Sequence, residues 1–323
     1  MWQPVPMHRL PMLLALSLLV SCAPQAPDDV VVGPAPVRVA SGPDAETDLL
    51  AHTVVALLGA EGIDAEVVSF ADSRDARQAL ELGAVDVRVG YTGESWLEAI
   101  GRADPPGDPR ASFQVVRDHD AERDIVWLPP RIMDGLDTPP ANATFAFVVQ
   151  GPPSIDADLQ TMSQLATRLS AQPDALVCVD QQFAARPDGL SAVLSAYSVR
   201  SDRQFLAASP SEAVLGVGAG DCIAGLTTTT DGRAWRAGLR PLVDDLQVFP
   251  AFVITPQVRA SALEQHQRLR SALTPLPAHL TGPMLGRWNA RLVGGEPVDQ
   301  VAGDAAVQLL HAAGRVLDED PGD

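Results

Sequence analysis

Val37-Arg-Val-Ala-Ser41, Ile63-Asp-Ala-Glu-Val-Val-Ser-Phe70 and Val85-Asp-Val-Arg-Val-Gly90 are three short runs rich in β-branched residues, and what lies between them decides the fold. Between the first two, over Glu46–Glu61, Leu50, Val54, Leu57 and Leu58 recur on one helical face, with Asp44 placed to cap the start and Gly62 to stop it. Between the second two, Ser73–Leu82 reads as another helix, ended by Gly83. Strand, helix, strand, helix, strand with links this short predicts a parallel sheet covered by helices.

The pattern restarts after residue 150. Helices are predicted at Met162–Leu169, Gly189–Tyr197 and Glu212–Gly218, alternating with strands at Ala175–Val179, Gln204–Ala207 and Asp221–Leu226. Helical patterns return at Ser261–Leu273 and Val298–Ala313. The fold class is therefore α/β, with two lobes, each a mostly parallel sheet under helices. Ligands in open α/β sheets sit beyond the carboxyl ends of the strands. Those ends fall near Ser41, Tyr91, Asp180 and Thr228.

Ahead of the first strand, Leu19-Val-Ser-Cys22 closes an apolar run, Leu10–Val20, that follows Arg9 and is broken only by Pro11 and Ser17. The run is shorter than the roughly 20 residues that span a bilayer, so residues 1–21 read as a signal peptide. A cysteine directly after the small Ser21 resembles the bacterial lipoprotein cleavage site, which makes Cys22 the lipidated N-terminus. An ordinary secretory signal with a chance cysteine is the alternative. Either reading puts the chain outside the cytoplasm; the first anchors it to the cell membrane. Residues 22–36, with Pro24, Pro27, Pro34 and Pro36, read as an extended Pro-rich tether.

The 323 residues are 46% hydrophobic, enough for a substantial core, and carry a net charge of −18. No lysine occurs, so all 23 basic residues are arginines. Such an acidic chain is ill suited to nucleic acid, where clustered bases neutralise phosphates. It would also be repelled by anionic lipid. His8, His52, His119, His266, His279 and His311 show no metal-ligand spacing, and Asp118-His119-Asp120 reads as a solvated loop. The glycine-rich Gly216–Gly220 precedes a strand instead of following one, so it fails as a phosphate loop. No G-x-S-x-G elbow is present. No metal, cofactor or enzymatic activity is implied.

Several motifs, in order along the chain, carry a family resemblance. Ala79-Leu-Glu-Leu-Gly-Ala-Val-Asp-Val-Arg-Val-Gly-Tyr-Thr-Gly93 resembles the first-lobe signature of ABC-transporter binding proteins for glycine betaine, choline and carnitine. Gln182-Phe-Ala-Ala-Arg186-Pro-Asp-Gly189 is similar to that family's E-F-x-x-R-x-D-G segment. Thr230-Asp-Gly-Arg233 resembles its S-T-D-G-R turn, and Asp244-Asp245 followed by Phe249-Pro-Ala-Phe252 its D-D…F-P-x-Y return. Leu280-Thr281, Met284, Asn289 and Val301-Ala302 match its closing helices. The resemblance implies a monomeric, two-lobed, hinge-closing protein of the type II periplasmic-binding class. Residues 37–143 with 252–317 would form lobe I, and residues 144–251 lobe II. A small organic solute would bind between them, shift the open–closed balance and pass to an ABC permease in the membrane.

The family's ligands carry a quaternary ammonium. Such a group donates no hydrogen bond and is held by aromatic faces, at roughly 0.5–2 kcal/mol per ring. The resemblance implies a ligand set of Ser41, Tyr91, Thr92, Glu94, Phe145, Arg186, Thr228, Asp231 and Phe252. Several positions depart from the family pattern. Phe145 and Phe252 stand where it has tyrosines, Thr228 where it has a third, Gly42 where it has a lysine, and Glu94 where it has a threonine. Arg186 is then the cation left to meet a ligand carboxylate, and the site should favour positive charge. A ligand-sensing or scaffold lipoprotein of the same fold, or a protein retuned to a non-quaternary solute, are the alternatives. With Cys22 acylated, Cys178 and Cys222 remain as an even pair in an oxidising compartment. They are read either as a disulfide between neighbouring strands or as two buried thiols.

Overall fold

The computed structural model describes Met1 and residues 35–131, 139–172, 174–186, 189–200 and 205–315. The expected signal peptide, Cys22, the tether up to residue 34, Pro187-Asp188, Gln204 and residues 316–317 lie outside the described residues.

Among the described residues ten strands make two sheets of five. They are β1 (Val37–Ser41), β2 (Ala65–Ser69), β3 (Val87–Tyr91), β4 (Ile125–Trp127), β5 (Phe145–Gln150), β6 (Val177–Val179), β7 (Phe205–Ala207), β8 (Ala224–Thr228), β9 (Leu239–Pro241) and β10 (Ile254–Arg259). The first sheet runs β2-β1-β3-β10-β4 and the second β7-β6-β8-β5-β9. In each sheet one strand is reversed, β10 against β3 and β4, and β5 against β8 and β9. Both reversed strands begin where the chain has just crossed between sheets. The two crossings lie side by side and antiparallel. Ala143 N donates to Phe252 O at 3.0 Å, Ile254 N to Ala141 O at 3.0 Å, and Phe252 N to Asn142 Oδ1 at 2.6 Å. The parallel strands therefore end, and the reversed strands begin, at one cleft. Tyr91 pairs in register with Ile254 there, and Thr228 with Phe145.

Asp44 caps the Ala45–Ala60 helix, accepting from Glu46 N at 3.0 Å and Thr47 N at 2.9 Å. This helix buries Leu49, Leu50, Val54, Leu57 and Leu58 against Val37, Val39 and Val87 of the sheet and Val301 and Leu309 of the Val298–Ala312 helix. The second lobe has its own core, built on Phe147, Leu165, Val177, Val179, Leu226 and Phe249.

Three expectations need correction. Asp118-His119-Asp120 is no solvated loop: it lies in the last turn of the Pro109–Ala121 helix, and Asp120 is wholly buried against Arg77 and Trp127. The single helix expected over Ser261–Leu273 is two, Ala260–Gln265 and Leu269–Leu273. None of Glu264–Arg268 is buried, so nothing holds that stretch in helical register. The strand expected from Asp221 starts only at Ala224. Gly220 takes φ +84 after the Pro210–Ala219 helix, and Asp221 N and Cys222 N both fold back onto Gly216 O. Cys222 thus lies in the turn before β8, where it is disulfide-bonded to Cys178 of β6 with a Cα–Cα separation of 5.8 Å.

Candidate functional site

The cleft holds a cavity of about 900 Å³ lined from both lobes. Its first-lobe wall carries Asp44, Glu46, Tyr91, Glu94, Phe252 and Asn289; its second-lobe wall carries Phe145, Asp180, Phe183, Arg186, Thr228, Asp231 and Arg233, among others. Five carboxylates thus face the space against two guanidiniums, so the cavity is negative before local pairing is considered.

Tyr91 stands at the carboxyl end of β3 and donates its hydroxyl to Glu46 Oε1 at 2.8 Å. Glu46, in the first turn of the Ala45–Ala60 helix, accepts a second bond at Oε2 from Asn289 Nδ2 at 2.6 Å. The same Asn289 nitrogen reaches the carbonyl of Thr230 in the other lobe at 2.9 Å. Burial pushes the Glu46 carboxyl above its ordinary value, against the pull of hydrogen bonds from Thr230, Tyr91 and Asn289. Burial, and then the nearby carboxylate of Glu46, hold the Tyr91 phenol well above its ordinary value, so it stays neutral.

Glu94 lines the cavity, but its charge is matched. Arg88, buried within β3, donates to it at 2.6 Å and also to Gln257 Oε1 at 3.3 Å. Asp231 caps the Gly232–Arg236 helix and is gripped by Arg233 at Nε (2.9 Å) and Nη2 (2.7 Å) and by the Thr227 hydroxyl. Burial would raise its carboxyl, but the bonds from Arg233 and Thr227 win and hold it low. Asp231 enters the cavity as half of an ion pair.

The aromatic content is unevenly spread. Phe145 joins a cluster with Phe183 (5.1 Å between ring centroids) and Phe249 (6.1 Å). Phe252 lies on the first-lobe side, its ring against Gly93. Thr228, beside Phe145 across the sheet, offers a hydroxyl and no ring.

Seven of the nine residues expected to hold ligand meet at this cavity: Tyr91, Glu94, Phe145, Arg186, Thr228, Asp231 and Phe252. Ser41 and Thr92 are not among its lining residues. Ser41 is buried and donates to Asp48 Oδ1 at 2.9 Å, because the Ala45–Ala60 helix turns Asp48 back onto the end of β1. Thr92 is wholly buried, donating to Ala251 O at 3.1 Å and accepting from Val253 N at 3.0 Å, so it fastens a crossing segment. Glu46 and Phe183 line the cavity without having been expected there. Phe183 lies inside the Gln182–Gly189 motif, whereas Glu46 reads in sequence only as an acidic residue beside a helix cap.

Two mixed sheets joined by a paired crossing, with a ligand-sized cavity between them, define a two-lobed solute-binding protein. The chain belongs to the OpuAC family, the substrate binding domain of ABC-type glycine betaine transport systems, whose profile matches residues 35–306. This family binds a small solute outside the cytoplasm and works with an ABC permease. Among curated proteins the chain is 28% identical over 263 residues to a glycine-betaine-binding protein of Pseudomonas aeruginosa, spanning 79% of this chain and 82% of that one. Among solved structures it is similar to apo YehZ from Escherichia coli, with TM-score 0.76, 24% identity, and coverage of 85% of this chain and 99% of that one. A glycine betaine/carnitine/choline ABC transporter structure aligns with TM-score 0.74 at 20% identity, covering 85% and 98%. Among the described residues no helix is long and apolar enough to cross a membrane.

Proposed function

We propose that this chain captures a quaternary ammonium compound, or a related small organic cation or zwitterion, between its lobes and hands it to a permease without doing chemistry on it. The observation that carries the reading is the make-up of the cavity, where the rings of Tyr91, Phe145, Phe183 and Phe252 share the wall with an excess of carboxylates. A group that is cationic and cannot donate hydrogen bonds is recognised by such a wall. Arg186, on the same wall, would meet the carboxylate of a betaine. The 28% identical relative is named for glycine betaine, which fits this ligand class.

In this reading residues 37–143 with 252–317 move as one lobe and residues 144–251 as the other. The protein works as a monomer, and a lipid on Cys22 ties it to the membrane. Cys22→Ala should then shift it from membrane to soluble fractions; a variant still tightly membrane-bound would refute the anchor.

Calorimetric titration with glycine betaine, choline, carnitine and proline betaine tests the ligand class. At least one should bind. Tyr91→Ala should weaken that binding by several-fold to thirtyfold, since the ring contributes about 1–2 kcal/mol by cation–π attraction and about 1.4 kcal/mol is tenfold. A wild-type protein that binds none of the four overturns the ligand class.

A further inference from the structure

We infer that Glu46 is a specificity-determining residue of the cavity: its carboxylate selects for positive charge in the ligand and positions the Tyr91 ring. The inference rests on the ligand class proposed above and assigns the choice of charge to one group.

The geometry sets Glu46 apart from the other acids of the cavity. Glu94 is paired with Arg88 and Asp231 with Arg233. Asp44 and Asp180 are occupied in capping helices. Glu46 has an ion pair with no residue among those described; its two oxygens are held by neutral donors, the phenol of Tyr91, the amide of Asn289 and the side chain of Thr230. Around it the charged and titratable groups are Asp44 on its own helix, Tyr91 with Glu94 beyond β3, and the Asp231–Arg233 pair beyond Thr230. Asn289, from the Gly282–Val293 helix, is neutral. Further along, Asp48, His52 and Asp299 form a separate group.

Closing the cleft removes water from this carboxylate. A charge left dry without a counter-charge is costly, and a cation in the cavity supplies one. A neutral ligand of the same shape does not. The bond from Tyr91 has a second effect. With its hydroxyl committed to Glu46, the phenol presents its ring and not its O–H to the ligand, and an adjacent carboxylate makes that ring face more negative.

The sign of the pH effect follows. The Glu46 carboxyl lies above its ordinary value because of burial. A bound cation favours the ionised form and lowers it. Binding therefore releases a proton between the bound and free values, and affinity rises with pH through that window and levels off above it.

The probes are choline and its uncharged carbon isostere, 3,3-dimethylbutan-1-ol. Both are titrated calorimetrically into wild type, Glu46→Gln and Glu46→Asp between about pH 4.5 and 7.5, in buffers of different ionisation heat. Wild type should prefer choline by about tenfold or more and release protons on binding it. Glu46→Gln should cut the preference several-fold, to what the ring faces alone give, and abolish the proton release. Glu46→Asp, which keeps the charge but retracts it from Tyr91, should retain the preference while weakening both probes. Wild type that binds choline with no proton release, or Glu46→Gln that keeps the preference, overturns the inference while the proposed ligand class stands. Wild type that binds no quaternary amine overturns both. Should Glu46→Gln fail to fold, the wild-type proton release decides the matter: its absence overturns the inference.

Discussion

Gly93 lies directly against the ring of Phe252: a Cβ at position 93 would stand 2.6 Å from both Cδ2 and Cε2 of that ring. Position 93 is buried within the Thr92–Glu98 helix, so only the ring can give way. Alanine is the better helix former by roughly 1 kcal/mol, yet the overlap should cost about 1–3 kcal/mol. Gly93→Ala is expected to push the Phe252 ring off the cavity wall, weakening quaternary ammonium binding several-fold. In a Phe252→Ala background the same change should cost much less stability, since the clashing atoms are gone. Additive losses in that double-mutant cycle would mean the two residues do not press on each other.

A second pairing lies at a separate core cluster of the first lobe. Asp120 receives Arg77 Nη1 at 2.6 Å and Nη2 at 2.7 Å, and the Trp127 indole N–H at 2.6 Å. Burial alone would raise the Asp120 carboxyl, but the bonds and charge of Arg77, with Trp127 and His119, hold it below the ordinary value. Its stabilising contribution is therefore complete above the unfolded-state value and is lost as pH falls through the lower folded value. Asp120→Asn leaves the Arg77 charge buried, with only Glu81 at 2.7 Å. A loss of about 3 kcal/mol is expected at neutral pH, shrinking as the solution is made strongly acidic. Urea unfolding at both pH values measures it, and a loss that stays constant with pH would contradict the linkage.

How much of this was readable in the sequence depends on the range of the cause. The valines of β1 and β3 and the face Leu50–Val54–Leu57 are local periodic signals, and so is the Asp44 cap; all stand where the pattern puts them. The reversal of β5 and β10 is not local. Phe145–Gln150 and Ile254–Arg259 are apolar runs whose direction is set by the crossings before them. The site divides in the same way. Tyr91 and Thr228 follow from the strand ends. Ser41 stands at a strand end too, but its hydroxyl is claimed by Asp48, seven residues on. Glu46 is masked because an acid in a first helical turn already has a reason to be there. Its partner Asn289 comes 243 residues later, so only the folded chain joins them.

The Cys178–Cys222 bond closes a loop of 44 residues in the second lobe. By loop-closure entropy a bond of this span should stabilise the lobe by about 4 kcal/mol. In a Cys22→Ala background, denatured but unreduced protein should show no reactive thiol. Replacing both cysteines by alanine should lower the urea midpoint while leaving the fold intact. Two thiols titrating before reduction would show the pair to be free.

Arg186 and Thr228 separate the two ends of a zwitterionic ligand. Arg186→Ala should weaken glycine betaine at least tenfold, about 1.4 kcal/mol, because the betaine carboxylate loses its guanidinium partner. Choline has no carboxylate and should be affected far less. Calorimetry on both ligands decides this, and equal losses would mean Arg186 acts on the shape of the second lobe instead.

Thr228 is the position where adding a ring is informative. It sits opposite Phe145 at the end of β8 and opens onto a cavity of about 900 Å³, which has room for a phenol. Its neighbour across the ladder, Phe145, already offers ring surface on this wall, and Tyr91 offers it from the other sheet, so a further face at 228 would add aromatic contact where the strand end now offers only a hydroxyl. One further cation–π contact is worth about 0.5–2 kcal/mol, so Thr228→Tyr should tighten choline by about twofold to thirtyfold. The gain for 3,3-dimethylbutan-1-ol should be smaller, because it has only the apolar part of that contact. Equal gains for the two would mean that position 228 adds burial and no charge recognition. A loss for both would mean that the added ring fills space the ligand needs.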